Sequence, residues 1–175
     1  MTLNPSDPAL PLWKRVSVDE RVIIDNVAGN APPVAIGLIA QRFGIEVISI
    51  TLPADISGLI RQLSPNNQSY QIQVNNTDVA VRQRFTVAHE LAHFLLHRHS
   101  IGTDGITDSI LYRSKLSDRV EAEANRMAAA LLLPWDKVHD WCLRKHACQP
   151  ASEHLEEIAE VFKVSALAVG FRFGF

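Results

Sequence analysis

The sequence predicts an α+β fold, mainly helical, with a small three-stranded antiparallel sheet. Three observations lead there. Helix start and stop signals recur along most of the chain. Strand patterns are confined to one stretch between residues 45 and 75. Finally, 175 residues with 47% hydrophobic and 21% charged side chains is ordinary globular composition, enough to bury one proper core.

The elements follow in order. Residues 1–16 hold prolines at 5, 8 and 11 and read as a flexible, extended tail. Ser17 and Glu20 have capping-box spacing and Gly29 is a stop, so SVDERVIIDNVAG is a helix. Pro32 and Pro33 open a second helix that Gly44 ends. IEVISIT is rich in β-branched residues and reads as a strand, SGLIRQL as a weaker one. SPNNQ is a turn cluster. SYQIQVN alternates, with Tyr70, Ile72 and Val74 on one face and Gln71, Gln73 and Asn75 on the other. That is the pattern of a half-buried antiparallel strand in a three-strand meander. Residues 77–97 turn helical. A glycine-containing loop follows over 100–114, a candidate lid. Ser117 is a good N-cap for a long helix to Leu133, which Pro134 breaks. PWDKVHDWCLRK is a short helix, and 153–162 and 165–172 form a last pair resembling half a helix-turn-helix. The expected organisation is a tail over 1–16, a main domain over 17–150, and the helix pair of 151–175 packed on that domain.

Composition excludes some functions. A formal net charge of −2 gives no global pull towards a polyanion. On the last helix only Arg172 is cationic, and Glu153, Glu156, Glu157 and Glu160 precede it, so direct nucleic-acid binding is not expected. Two cysteines, Cys142 and Cys148, are too few for a disulfide framework and fit reduced thiols. The start lacks the apolar core of a signal peptide, and VAIGLIA and MAAALLLPW are too short to span a bilayer. The expectation is a soluble, cytoplasmic protein without a membrane partner.

The chemistry sits in RFTVAHELAHFLLHRH, residues 84–99. His89-Glu90-Leu91-Ala92-His93 is an HExxH pattern. On a helix, positions i and i+4 share a face, so two imidazoles so placed can bind one Zn²⁺. Glu90 follows the first ligand and can reach a water at the metal without ligating, as a general base must.

A catalytic zinc needs a third protein ligand and an open fourth position. His99 has the spacing of the long HExxHxxGxxH form, but position 96 is Leu96, not the glycine at which that form turns. The better source is a second helix over 120–134. Glu121 and Asn125 are four apart and share a face with Ala128, Ala129 and Leu132. There Glu121 is the expected ligand and Asn125 the holder of a ligand histidine through its other ring nitrogen. Glu123 competes but points about 160° away from Glu121 at 100° per residue.

RFTVAHELAHFLLH followed by EAEANRMAAALLLP resembles the ImmA/IrrE family of zinc metallopeptidases. The IEV strand, the VNN before the HExxH helix and the terminal IAEVFKVSALAVGFRFGF extend the resemblance over roughly residues 18–175. It implies a zincin-like core similar to the thermolysin-like gluzincins. His89, His93 and Glu121 would hold Zn²⁺, and Glu90 would be the catalytic glutamate. The implied substrate is a cytosolic regulatory protein, an Xre-type helix-turn-helix repressor; some relatives act instead in toxin–antitoxin pairs. Met127 stands where an aromatic residue is usual, a packing difference. The alternative function is a non-proteolytic module that binds a repressor or antitoxin. An intact Glu90 argues against it, because a purely structural site has no use for that carboxylate.

Other residues draw notice. His97 extends the 89/93 register, but His89 and His97 are about 12 Å apart along the axis at 1.5 Å per residue, too far to share one ion. It reads as a C-terminal helix histidine favoured by the dipole. His139, Cys142, His146 and Cys148 lack paired zinc knuckles and read as part of an ordinary helix. Tyr70, His97, Tyr112 and Arg113 are all candidate oxyanion donors, and the sequence does not choose among them. SYQIQVN, if a sheet edge, could take an extended substrate as an added strand.

Overall fold

The computed structural model describes residues 3–29, 31–64, 69–103, 106–107 and 115–175. The N-terminal residues carry a short helix, α1 (Leu10–Trp13). They are not a loose tail from Asp7 onward: Ala9, Leu12, Trp13 and Val16 are buried in the core. Apolar area accounts for that, since Trp13 alone offers a large surface to bury.

Helix α2 (Val18–Ala28) starts on the expected capping box. Ser17 Oγ accepts from Glu20 N at 3.3 Å, and Glu20 Oε2 accepts from Ser17 N at 3.0 Å. It stops at Gly29, whose φ is +60°. Helix α3 (Ile36–Arg42) begins after Pro32 and Pro33 rather than on them.

Three strands follow: β1 (Ile45–Ile50), β2 (Gly58–Gln62) and β3 (Tyr70–Asn75). They do not form the expected antiparallel meander. The sheet order is β1-β3-β2-β4, where β4 is the two-residue strand Ile106–Thr107. β3 runs parallel to β1 and antiparallel to β2, so the sheet is mixed. β3 is therefore central and buried along its whole length, not half-buried at an edge. Its polar face is partnered instead of solvated. Gln71 Nε2 donates to Glu46 Oε2 at 2.6 Å, and Gln71 Oε1 accepts from Arg61 Nη2 at 2.9 Å and Gln73 Nε2 at 2.8 Å. A polar row running across three strands satisfies groups that would be costly to bury alone. With both its edges paired, β3 offers no place for an added substrate strand.

The long helix α4 (Ala80–His97) lies against β2 and β3. The packing is tight at Gly58, where a Cβ would stand 2.4 Å from Thr86 Cγ2 on α4 and 2.6 Å from Gln73 O on β3. Helix α5 (Lys115–Leu132) packs most extensively on α4, and Ala124, Met127 and Ala128 are fully buried. It begins before Ser117, which lies inside the first turn. Helices α6 (Trp135–His146), α7 (Leu155–Phe162) and α8 (Ala166–Phe173) complete the chain. Ser165 caps α8, accepting from Ala168 N at 3.2 Å. Arg172 on α8 is not a surface cation. It donates to Asp7 Oδ1 at 2.7 Å and to Leu133 O at 3.1 Å, fully enclosed. Among the described residues, no helix is long and apolar enough to cross a membrane.

Candidate metal centre

Helix α4 carries its histidines on a buried face. His89 is 4% exposed, His93 1% and Glu90 1%. Successive turns bring the first two rings together: His89 Nε2 and His93 Nε2 are 3.0 Å apart. Helix α5 brings Glu121 to the same point. Its Oε2 is 3.1 Å from His89 Nε2 and its Oε1 3.5 Å from His93 Nε2. The small side chains of Ala124 and Ala128 on α5 permit this close approach. Among the described residues, His89, His93 and Glu121 are the one trio of metal-ligating side chains whose donor atoms lie within 4.8 Å of each other.

The donors fit a metal. Ligands at 2.0–2.1 Å in a tetrahedron stand about 3.3–3.4 Å from one another, close to the 3.0, 3.1 and 3.5 Å found here. The hydrogen bond behind His89 agrees. His89 Nδ1 lies 3.0 Å from Asn125 Oδ1. An amide oxygen only accepts, so Nδ1 holds the ring hydrogen and Nε2 turns its lone pair towards the other donors. Burial opposes ionisation of Glu121, yet in the metal-free protein hydrogen bonds and charge from the His89 and His93 rings, through Nε2 hydrogens that a metal would displace, outweigh that and hold its carboxyl far below the usual carboxylate range. It is an anion ready to accept a cation. The donor set, two imidazoles and one carboxylate, suits zinc, while its chemistry alone leaves the metal's identity open.

Two residues discounted from the sequence have roles in this neighbourhood. His97 does not reach the donor point, but its Nδ1 is 3.3 Å from His93 Nδ1 and its Nε2 is 3.2 Å from Glu123 Oε2. Burial leads in holding the His97 imidazole below the ordinary histidine range, although Glu123 pulls the other way. Glu123 is gripped by Arg15, by His97 and by Arg119 Nε at 3.0 Å, and these hold its carboxyl down at about 2. Helical spacing of His97 from His93 and of Glu123 beside Glu121 was the available signal. Arg15 had none.

Among the described residues, the other candidates do not join the donor trio. His99 is exposed in a 3₁₀ turn after α4 (Arg98–Ser100), because α4 runs straight through Leu96. Tyr70 packs its ring edge-on to Phe94, centroids 5.1 Å apart. Tyr112, Arg113 and most of the 100–114 loop lie outside the described residues. Cys142 is buried, His139 packs at a tilt against Trp135, and His146 stacks on His154 and faces Glu157 at 2.9 Å, so that group does not converge. A groove of about 640 Å³ opens beside the donors, reaching His89 and Asn125 between Phe85, Val164, Leu167 and Phe171.

A buried two-histidine helix, a second helix that brings Glu121 against it and a small sheet alongside, together with the family match, mark a metallopeptidase-type domain. The chain belongs to the Peptidase_M78 family, described as the IrrE N-terminal-like domain, whose model matches residues 40–173. Its fold is similar to that of a solved structure from Mycobacterium tuberculosis described as a transcriptional regulator. The two are 17% identical with a TM-score of 0.57, over 94% of this chain and 49% of that one. The chain thus spans about half the length of that structure, and the likeness is one of fold. No curated protein matches the sequence.

Proposed function

We propose that this protein is a zinc-dependent endopeptidase that cleaves a cytosolic regulatory protein, with a helix-turn-helix repressor or an antitoxin as the expected substrate. The observation that carries the reading is the spacing of His89, His93 and Glu121, three donors at tetrahedral distances with Glu90 beside the first. The family supports a peptidase over other uses of such a site.

His89 and His93 would hold Zn²⁺ through Nε2, and Glu121 through its carboxylate. When bound, zinc polarises the scissile carbonyl and acidifies water to a pKa near about 7. Glu90 takes a proton from the attacking water on its carboxylate and passes it to the leaving amine nitrogen. Its near-complete burial disfavours competing contacts with bulk water. Asn125 keeps His89 in the ligating tautomer. The apolar groove beside His89 suits a hydrophobic side chain flanking the scissile bond, and Leu167 and Phe171 are 83% and 57% exposed along it.

The test uses the full chain, zinc, and a candidate substrate of the proposed class, an Xre-type helix-turn-helix repressor or antitoxin from the same genome. Wild type is expected to cut, to stop when a chelator removes the metal, and to resume when zinc returns. Glu90→Gln should bind zinc and the partner normally but cut at least about 10²-fold more slowly, the usual loss for a general base. Cutting by Glu90→Gln at the wild-type rate would remove Glu90 as the base. Zinc and partner binding with no cutting by wild type would leave the non-proteolytic binding module.

A further inference from the structure

His93 is the ligand without an amide behind it. In place of Asn125 it has His97, and behind His97 stand Glu123 and Arg15. The contacts form an unbroken path. His93 Nδ1 faces His97 Nδ1 at 3.3 Å, His97 Nε2 faces Glu123 Oε2 at 3.2 Å, and that same Oε2 accepts from Arg15 Nη1. Arg15 Nη2 also donates to Leu96 O at 3.2 Å, which fixes the guanidinium against α4 itself. Arg119 Nε holds the other oxygen of Glu123 at 3.0 Å.

The direction of every hydrogen bond follows from the far end. A carboxylate gripped by two guanidinium groups only accepts, so His97 Nε2 must donate. An imidazole with its hydrogen on Nε2 has its lone pair on Nδ1, so His97 Nδ1 accepts. His93 Nδ1 must then carry the hydrogen, which leaves the lone pair of His93 on Nε2. That is the atom 3.0 Å from His89 Nε2 and 3.5 Å from Glu121.

We infer that His97, Glu123 and Arg15 are positioning residues that fix the tautomer and orientation of His93, and that the N-terminal segment is thereby part of the metal centre. The inference rests on the metal-binding reading of His89, His93 and Glu121. It also reaches outside the family match, which begins at residue 40, well after Arg15. Glu123 points away from Glu121 on α5 for a reason: one carboxylate faces the donor point and the other backs a ligand. The same division of labour explains two acids on one helix two residues apart.

The experiment measures Zn²⁺ affinity by chelator competition on the full chain, with urea unfolding of the metal-free protein alongside. His97→Leu removes the acceptor behind His93 and should weaken zinc binding about 10–100-fold, the usual cost of losing such a partner. His97→Gln keeps an acceptor oxygen and a donor nitrogen and should stay within about threefold of wild type. Arg15→Met alters a side chain that is 41% exposed, so the fold should persist, and zinc should still weaken severalfold. Equal zinc affinities for His97→Leu and His97→Gln would overturn the inference, even if both were less stable. So would Arg15→Met and His97→Leu proteins that bind zinc like wild type. If wild type itself took up no zinc, the metal-binding reading would fall, and this inference with it.

Discussion

Asp7→Ala should destabilise the protein by about 3–5 kcal/mol, the usual cost of removing one partner from a buried ion pair. Asp7 and Arg172 meet at 2.7 Å with side chains 4% and 2% exposed, so water cannot replace either partner. The mutation removes a charge-assisted hydrogen bond, which contributes about 1.5–3 kcal/mol. It also removes the acceptor for Ala9 N, held at 2.7 Å, for about 1 kcal/mol more. The guanidinium stays behind with Leu133 O and the rings of Trp135 and Phe173, none of which carries a compensating negative charge. Urea unfolding of the metal-free chain is the assay. The double variant Asp7→Leu, Arg172→Met should recover much of the loss, because it buries no unpaired charge. A loss below about 1 kcal/mol for Asp7→Ala would refute the enclosure of this pair. So would a double variant whose loss equals the sum of the two single losses, which would mean that the groups do not interact. The stakes extend beyond residues 7–16. The same pair ties the N-terminal segment to α8 and to the end of α5, the helix that carries Glu121 and Asn125.

Three other outcomes follow from the packing. Gly58→Ala places a Cβ 2.6 Å from the backbone oxygen of Gln73, which cannot yield, so overpacking should cost about 1–3 kcal/mol and lower the melting temperature by about 3–10 °C; an unchanged melting temperature would contradict the close approach of β3 to β2 at this glycine. The Glu123 carboxyl is depressed to about 2 against about 4.3 unfolded, so its contribution is present above about 4.3 and lost as pH falls through 2. In the metal-free protein the gap in urea midpoint between wild type and Glu123→Gln should therefore shrink from pH 7 to pH 3, and a gap of constant size would exclude the linkage. Burial pushes the Cys142 thiol up to about 11, so iodoacetamide at pH 8 should label the half-buried Cys148 first and Cys142 only in denaturant. Equal labelling rates in the native protein would show that Cys142 is accessible.

What the sequence could determine was whatever is periodic along one element. HExxH is readable because i and i+4 share a helical face. The same rule joined Glu121 to Asn125, and Asn125 Oδ1 lies 3.0 Å from His89 Nδ1. Capping residues likewise marked α2 and α8. Only the tertiary structure decided what depends on which elements meet. The strand order could not be read, because the alternation in SYQIQVN shows two faces but not whether water or Glu46 and Arg61 satisfy the polar one. Residues 1–16 looked like a tail, because prolines and short apolar runs carry no period, yet Trp13 is buried in the core and Asp7 finds its partner at the other end of the chain. His97 and Glu123 were visible as residues but not as a pair. Their contact, and its anchor on Arg15, is a matter of how α4, α5 and the N-terminal segment pack, and packing is a property that no single element carries in its own sequence.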